Sequence, residues 1–183
     1  MFAPVELNEQ FKGPRVAINP ADPLRLVGAG WEGQPVLVVR GMEVREASGE
    51  RGFFEITCVR GAGYGHIRIG LATHGVDLTR GLGFASGGCA WCSGGGDGYL
   101  YSNLPGIPDV ESAALGFTDG DRIGLLVDCT AAPTLRFFKN GAQVDEVIFT
   151  AEIHGEIVYP AFGLYTAEID IASNPALPSA GPG

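Results

Sequence analysis

Basic residues are scarce in this chain and nowhere clustered. Twelve Lys and Arg stand against 21 Asp and Glu, for a formal net charge of −9, and no four basic residues run together. Nucleic-acid backbones are held by clustered Lys and Arg, so this balance argues against a nucleic-acid partner. It argues against an anionic membrane surface for the same reason. Long apolar runs are also missing; the longest are of strand length, far short of a membrane span. The N-terminus, MFAPVELNEQFKGPR, has no basic segment leading into an apolar one and does not read as a secretory signal. Cysteine is sparse. Cys58, Cys89, Cys92 and Cys129 are too few for a secreted disulfide scaffold in 183 residues. An intracellular, reducing setting is expected, most simply the cytoplasm.

Catalytic and metal-binding patterns are missing too. Cys89-Ala-Trp-Cys92 is a lone CxxC. Zinc needs four ligands, and no second CxxC or paired-histidine motif accompanies it. Cys58 and Cys129 would complete a site only by facing the same space. His66, His74 and His154 show no ligand spacing. The aspartates lack the order of a calcium loop. Gly61-Ala-Gly63-Tyr-Gly65 is followed by a strand pattern and not by the helix a phosphate loop requires. No Gly-X-Ser-X-Gly elbow occurs. No catalytic residue, metal or cofactor is therefore expected. A thiol or zinc enzyme using Cys89 and Cys92 is the weakest reading.

What is abundant is turn chemistry and alternation. With 29 Gly and 12 Pro, the chain breaks into short runs with a period of two. Phe54, Ile56 and Cys58 alternate with Phe53, Glu55 and Thr57. Ile67, Ile69 and Leu71 form the apolar set of HIRIGLAT (66–73). The two runs, joined by glycines 61–65, read as a hairpin. Further strands are expected over 36–41, 98–104, 122–129, 134–141, 156–165 and 167–172. Residues 74–98 read as a long loop region, and 105–114 as a loop. Asn140-Gly141 is a strong signal for a tight hairpin turn. Glycines 70 and 124, placed mid-strand, mark bends or close sheet approach. Short strands separated by turn signals and the lack of helical periodicity predict an all-β sandwich. Its core is expected to hold Phe54, Ile56, Ile69, Leu71, Ile123, Leu125, Phe137 and Phe162.

Five motifs in order resemble the SPRY family. They are Phe53-Phe54-Glu55-Ile56, Ile67-Arg68-Ile69-Gly70-Leu71-Ala72-Thr73, Gly120-Asp121-Arg122-Ile123-Gly124 running to Asp128, Phe137-Phe138-Lys139-Asn140-Gly141, and Tyr159-Pro160-Ala161-Phe162. The resemblance covers about 36–173, with a lead-in segment similar to PRY within 1–35 and a disordered Pro/Gly tail over 174–183. It implies a bent sandwich of two antiparallel sheets with a concanavalin-like outline. It also implies noncatalytic recognition of a protein or extended peptide through loops, as an adaptor or subunit of a multi-protein complex. A carbohydrate-binding, lectin-like sandwich is the alternative.

The pocket the resemblance implies is framed by Trp31, Arg40, Thr73, His74, Val76, Leu164, Tyr165 and Thr166. It places the Thr73 strand end beside the last hairpin. Trp91 and Tyr101, read as loop aromatics near strand ends, are further candidate anchors, because Trp and Tyr bury large area with few torsions to freeze. Tyr165 is the leading anchor. It is expected at a tight turn between the two closing strands, where a large ring is hard to bury inward.

Overall fold

The computed structural model describes residues 6–28, 34–38, 41–63, 66–94, 97–173 and 175–177. Fifteen strands occur among them: β1 Leu7–Lys12, β2 Val16–Asn19, β3 Asp22–Gly28, β4 Gln34–Val38, β5 Met42–Glu43, β6 Arg51–Arg60, β7 Ile67–Ala72, β8 Gly88–Gly94, β9 Asp97–Ser102, β10 Val110–Ser112, β11 Arg122–Asp128, β12 Thr134–Lys139, β13 Ala142–Ile148, β14 Ile157–Leu164 and β15 Glu168–Ile171. Two short 3₁₀ turns, Ala113–Leu115 and Ala151–Ile153, are the helical segments among the described residues.

The strands form two antiparallel sheets. One has eight strands in the order β1-β4-β14-β7-β8-β9-β10, with β5 also pairing β14; the other has seven in the order β13-β12-β11-β6-β15-β3-β2. The expected all-β sandwich is thus the observed architecture. The N-terminal residues contribute the edge strand β1 to one sheet, and to the other the edge strand β2 with its neighbour β3.

Between the sheets lies one continuous core. It contains all eight residues expected from alternation, together with Leu26, Cys58, Ile67, Cys89, Trp91, Leu100, Phe117 and Ile169. At about 1.5–3 kcal/mol for each large side chain buried, this interior is the main stabilising term. The β12–β13 turn has Asn140 at φ 52° and Gly141 at φ 85°, the left-handed pair that a two-residue hairpin needs. Asn140 ties the turn to β11: its Oδ1 accepts from the Arg122 amide at 2.9 Å, and its Nδ2 donates to Asp121 at 2.8 Å. At Gly70 an added Cβ would fall 1.9 Å from the Cys89 carbonyl oxygen, and at Gly124 it would fall 2.7 Å from the Phe53 ring. Of the two roles expected for the mid-strand glycines, both positions show close approach.

Four sequence expectations fail, the two hairpins for one shared reason. The β6 and β7 runs are not a hairpin: β6 pairs β11 and β15, whereas β7 pairs β14 and β8. The chain crosses from one sheet to the other, and the two apolar sets meet face to face across the core instead of side by side. β14 and β15 likewise belong to different sheets and form no closing hairpin. Finally, residues 88–94, read as loop, are the strand β8 inside the larger sheet. Alternation identifies a strand and its apolar face but does not identify its neighbour. Residues 110–112 are a short edge strand, β10, within the expected 105–114 loop.

Candidate functional site

The outer face of the eight-stranded sheet has two ends with different chemistry. Its middle is made of small residues, Ala72, Ala90 and Ala161, onto which the segment 73–87 folds back with Val76, Leu82 and Ala85. Gly83 allows this segment to lie close, at φ 90°, where an added Cβ would be 3.1 Å from Ala90 Cβ. Backbone bonds hold the cover in place: the Thr73 amide donates to Gly87 O, and the Ala85 amide donates to Gly81 O, both at 2.8 Å. Asn103 Nδ2 adds a bond to Gly83 O at 3.0 Å.

Thr73 and His74 mark one end. Thr73 is half-buried, and its hydroxyl faces Gly87 O at 3.4 Å. The His74 imidazole lies edge-on between Phe11, at 4.5 Å, and Tyr159, at 4.4 Å between centroids.

The other end carries a row of rings around one arginine. His66 and Tyr165 lie 5.6 Å apart between centroids. The Arg68 guanidinium carbon is 5.3 Å from the centre of the Tyr165 ring and 4.5 Å from that of Phe84. Phe84 is 4.9 Å from Tyr101, which stacks on Tyr99 at 5.6 Å with the ring planes 8° apart. Glu111, opposite Tyr99 in the β9–β10 ladder, pushes the Tyr99 hydroxyl above its ordinary pKa. The antiparallel registers build this row: Arg68 sits opposite Cys92, Cys92 opposite Tyr99, and Ala90 opposite Tyr101, all on the outward set of their strands. Phe84 is 41% exposed and crowns the row from the covering segment.

The structure separates residues that the sequence reading grouped. Tyr159 faces Ala72 and Leu164 faces Ile67 in the β14–β7 ladder, and the Tyr165 amide donates to His66 O. Thr73 therefore sits seven residues along β7 from the Tyr165 end, about 23 Å at a strand's rise. The pocket expected to join Thr73, His74 and Val76 to Tyr165 and Thr166 is not formed. Leu164 points into the core beside Ile67, and Val76 is buried on the sheet side of the covering segment, so neither offers a contact surface. Thr166 is exposed, and Tyr165 and Tyr101 are half-buried. Trp31 and Arg40 lie outside the described residues.

Trp91 is the clearest correction. Its exposure is 0%; it packs edge-to-face on Phe117 and Phe137 at 5.3 and 5.5 Å, and its Nε1 donates to Leu115 O at 2.6 Å. A ring on the inward set of β8 is core. Reading 88–94 as loop is what made it look like an anchor. Arg68 and Phe84 were missed as site residues. Arg68 looked like one outward strand position, and Phe84 like one ring in a glycine-rich loop.

The CxxC cannot act as a pair. Cys89 and Cys92 are three residues apart in an extended strand, so their side chains leave opposite faces of the sheet. Burial pushes the Cys89 thiol up to about 12 and the Cys58 thiol likewise to about 12. Burial also raises Cys92, with Arg68 opposing the shift. Reactive cysteines are depressed and accessible, the reverse of this. Among the described residues, no three His, Cys, Asp or Glu side chains converge on a metal position.

Solved structures of similar shape share this fold. The PSpry domain of TRIM65 superposes with a TM-score of 0.68 at 10% identity, over 93% of this chain and 90% of its own. The SPRY domain of human HERC1 gives 0.63 at 17%, over 93% and 99%. A further human SPRY domain gives 0.61 at 20%, over 89% and 98%. No curated protein sequence matches significantly. The family model of the SPRY domain matches residues 51–173, from the start of β6 to just past the end of β15. By that match over most of its length, the chain belongs to the SPRY domain family.

Proposed function

We propose that this chain is a noncatalytic recognition module that binds a protein or extended peptide on the outer face of its eight-stranded sheet, at the Tyr165 end. SPRY domains are in general protein-interaction modules. The observation that carries the reading is the row Tyr99–Tyr101–Phe84–Arg68–Tyr165, a run of partly exposed rings on a rigid ladder. Aromatic rings and arginine are the groups that dominate interface energetics. In this reading Tyr165, Phe84 and Tyr101 are the anchors, Thr166 is an exposed polar edge, and the Thr73–His74 end is peripheral. The module serves as an adaptor or as a subunit of a larger intracellular assembly. Its four free, buried cysteines suit a reducing compartment.

The test is a partner recovered by pull-down, then measured against Tyr165→Ala and Phe84→Ala. Each truncation is expected to cost roughly 2 kcal/mol of binding, about thirtyfold in Kd, with the melting temperature nearly unchanged. Stability lost with affinity kept would assign these rings to packing. A glycan that binds tightly on an array, and is lost in Phe84→Ala, would favour the lectin reading instead.

A further inference from the structure

Among the described residues, Arg68 is a buried cation without an anion. Its exposure is 4%, and it appears in none of the ion pairs among the described residues. One nitrogen, Nη1, donates to Leu82 O at 2.6 Å, whereas Nε has no hydrogen-bond partner. A guanidinium does not shed its proton. A buried charge of this kind is costly until it is paired. The faces of Phe84 and Tyr165 offset part of that cost but satisfy no N–H. Two of the described side chains beside it are neutral: the Cys92 thiol and the Tyr101 hydroxyl are both raised by burial.

We infer that Arg68 is a carboxylate-recognising subsite, filled by an Asp or Glu side chain of the bound polypeptide. The inference rests on the outer-face reading above and adds the partner's chemistry. The free Nε–H and the rest of the guanidinium edge present the donor fork that a carboxylate matches. Phe84, 41% exposed, stands over the guanidinium from the covering segment, so the subsite lies directly under the surface of the row. The row holds one arginine on a chain of net charge −9, which suits a singly charged carboxylate better than a doubly charged phosphate. Removing the charge from Arg68 relieves a burial cost, so a neutral replacement keeps the fold while losing the selectivity. A purely structural arginine would behave in the opposite way.

The probe is a displayed library of random twelve-residue peptides panned on the whole chain. Binders are kept if Tyr101→Ala, which removes a ring of the row and leaves the guanidinium in place, weakens them. The expected result is an Asp or Glu at one fixed position. Changing it to Asn or Gln in the peptide should weaken binding to the wild type by about ten- to hundredfold, the range of a charge-assisted hydrogen bond. The same change should matter little against Arg68→Gln, whose melting temperature should equal or exceed that of the wild type. Tyr101-dependent binders without an acidic position would overturn the subsite and leave the face standing. A library yielding no Tyr101-dependent binder would sink both. Tighter binding of a phosphoserine peptide than of its aspartate counterpart would replace carboxylate by phosphate. Should Arg68→Gln fail to fold, the wild-type Arg68 Nε–H resonance decides the matter: it should shift with the Asp peptide and stay in place with the Asn peptide, and no shift overturns the assignment.

Discussion

The outer faces of the two sheets treat arginine in opposite ways. On the seven-stranded sheet each arginine in the ladder meets a carboxylate. Arg25 meets Asp170 and Glu168; Arg60 shares Glu168; Arg122 meets Glu55; Arg51 and Arg136 flank Asp128; and Arg136 also meets Glu146. Several are direct cross-strand partners, such as Arg136 opposite Glu146 and Arg25 opposite Asp170. The apolar patch of that face, Phe53, Leu126 and Phe138, is packed by the chain's own Leu177. On the eight-stranded sheet Arg68 meets rings and one carbonyl oxygen. The first face is satisfied internally. The second holds a buried donor without a hydrogen-bond partner beside several partly exposed rings.

The comparison can be broken at its root by removing what both faces share. Trp91→Ala empties a fully buried site between the sheets and should cost about 3–5 kcal/mol in chemical denaturation. A loss below about 1 kcal/mol would return Trp91 to the surface and reopen its reading as an anchor.

The next effect tests internal satisfaction. Burial alone would raise the Asp128 carboxyl, but the Thr130 hydroxyl and amide, then Arg51 and Arg136, outweigh it and hold its pKa below the ordinary value. A depressed native pKa contributes stability above the unfolded value, about 3.9, and that stability fades as pH falls through the lower native value. Asp128→Asn should therefore cost about 1.5–3 kcal/mol at pH 7, the range for hydrogen bonds to a charged group. The penalty should shrink in melts taken below about pH 4. A pH-independent penalty would show that shape, not charge, matters there.

A smaller effect tests the apolar patch. Leu177 is half-buried against Phe53, Leu126 and Phe138. Leu177→Ala should cost about 1 kcal/mol, half of a full leucine burial, and raise binding of a hydrophobic dye. No change in either would mean that the segment expected to be a disordered tail does not cover the patch in solution.

The smallest stability effect carries the contrast. Arg68→Gln should shift the melting temperature by little, or upward, while Arg136→Gln lowers it. If both fall equally, the two faces do not differ in the way described.

Much of the fold was legible from residues alone because it depends on alternation. The outward Arg68 and inward Ile67 and Ile69 follow from the period of two, and so does Phe54 against Phe53. The turn at Asn140-Gly141 depends on local backbone energy and was legible for that reason. β8 was not. Its seven residues, GCAWCSG, are rich in glycine and small side chains, and only pairing with β7 and β9 makes them a strand. The site was half legible. Tyr165 and Tyr101 were identified as rings near strand ends. Phe84 and Arg68 were not, because their meeting depends on a fold-back of the segment 73–87.

The sequence by itself determined that this chain is a sandwich of short strands, which side chains face inward, and where the tightest hairpin turns. Each of these depends on residues within a few positions of one another. Which strands are neighbours, which end of the sheet Thr73 occupies, and whether Trp91 or Phe84 faces solvent were decided by tertiary structure. Those outcomes depend on register between segments as distant as 67–72 and 157–164, and on a covering segment whose placement changes Arg68 from a surface cation into a buried one.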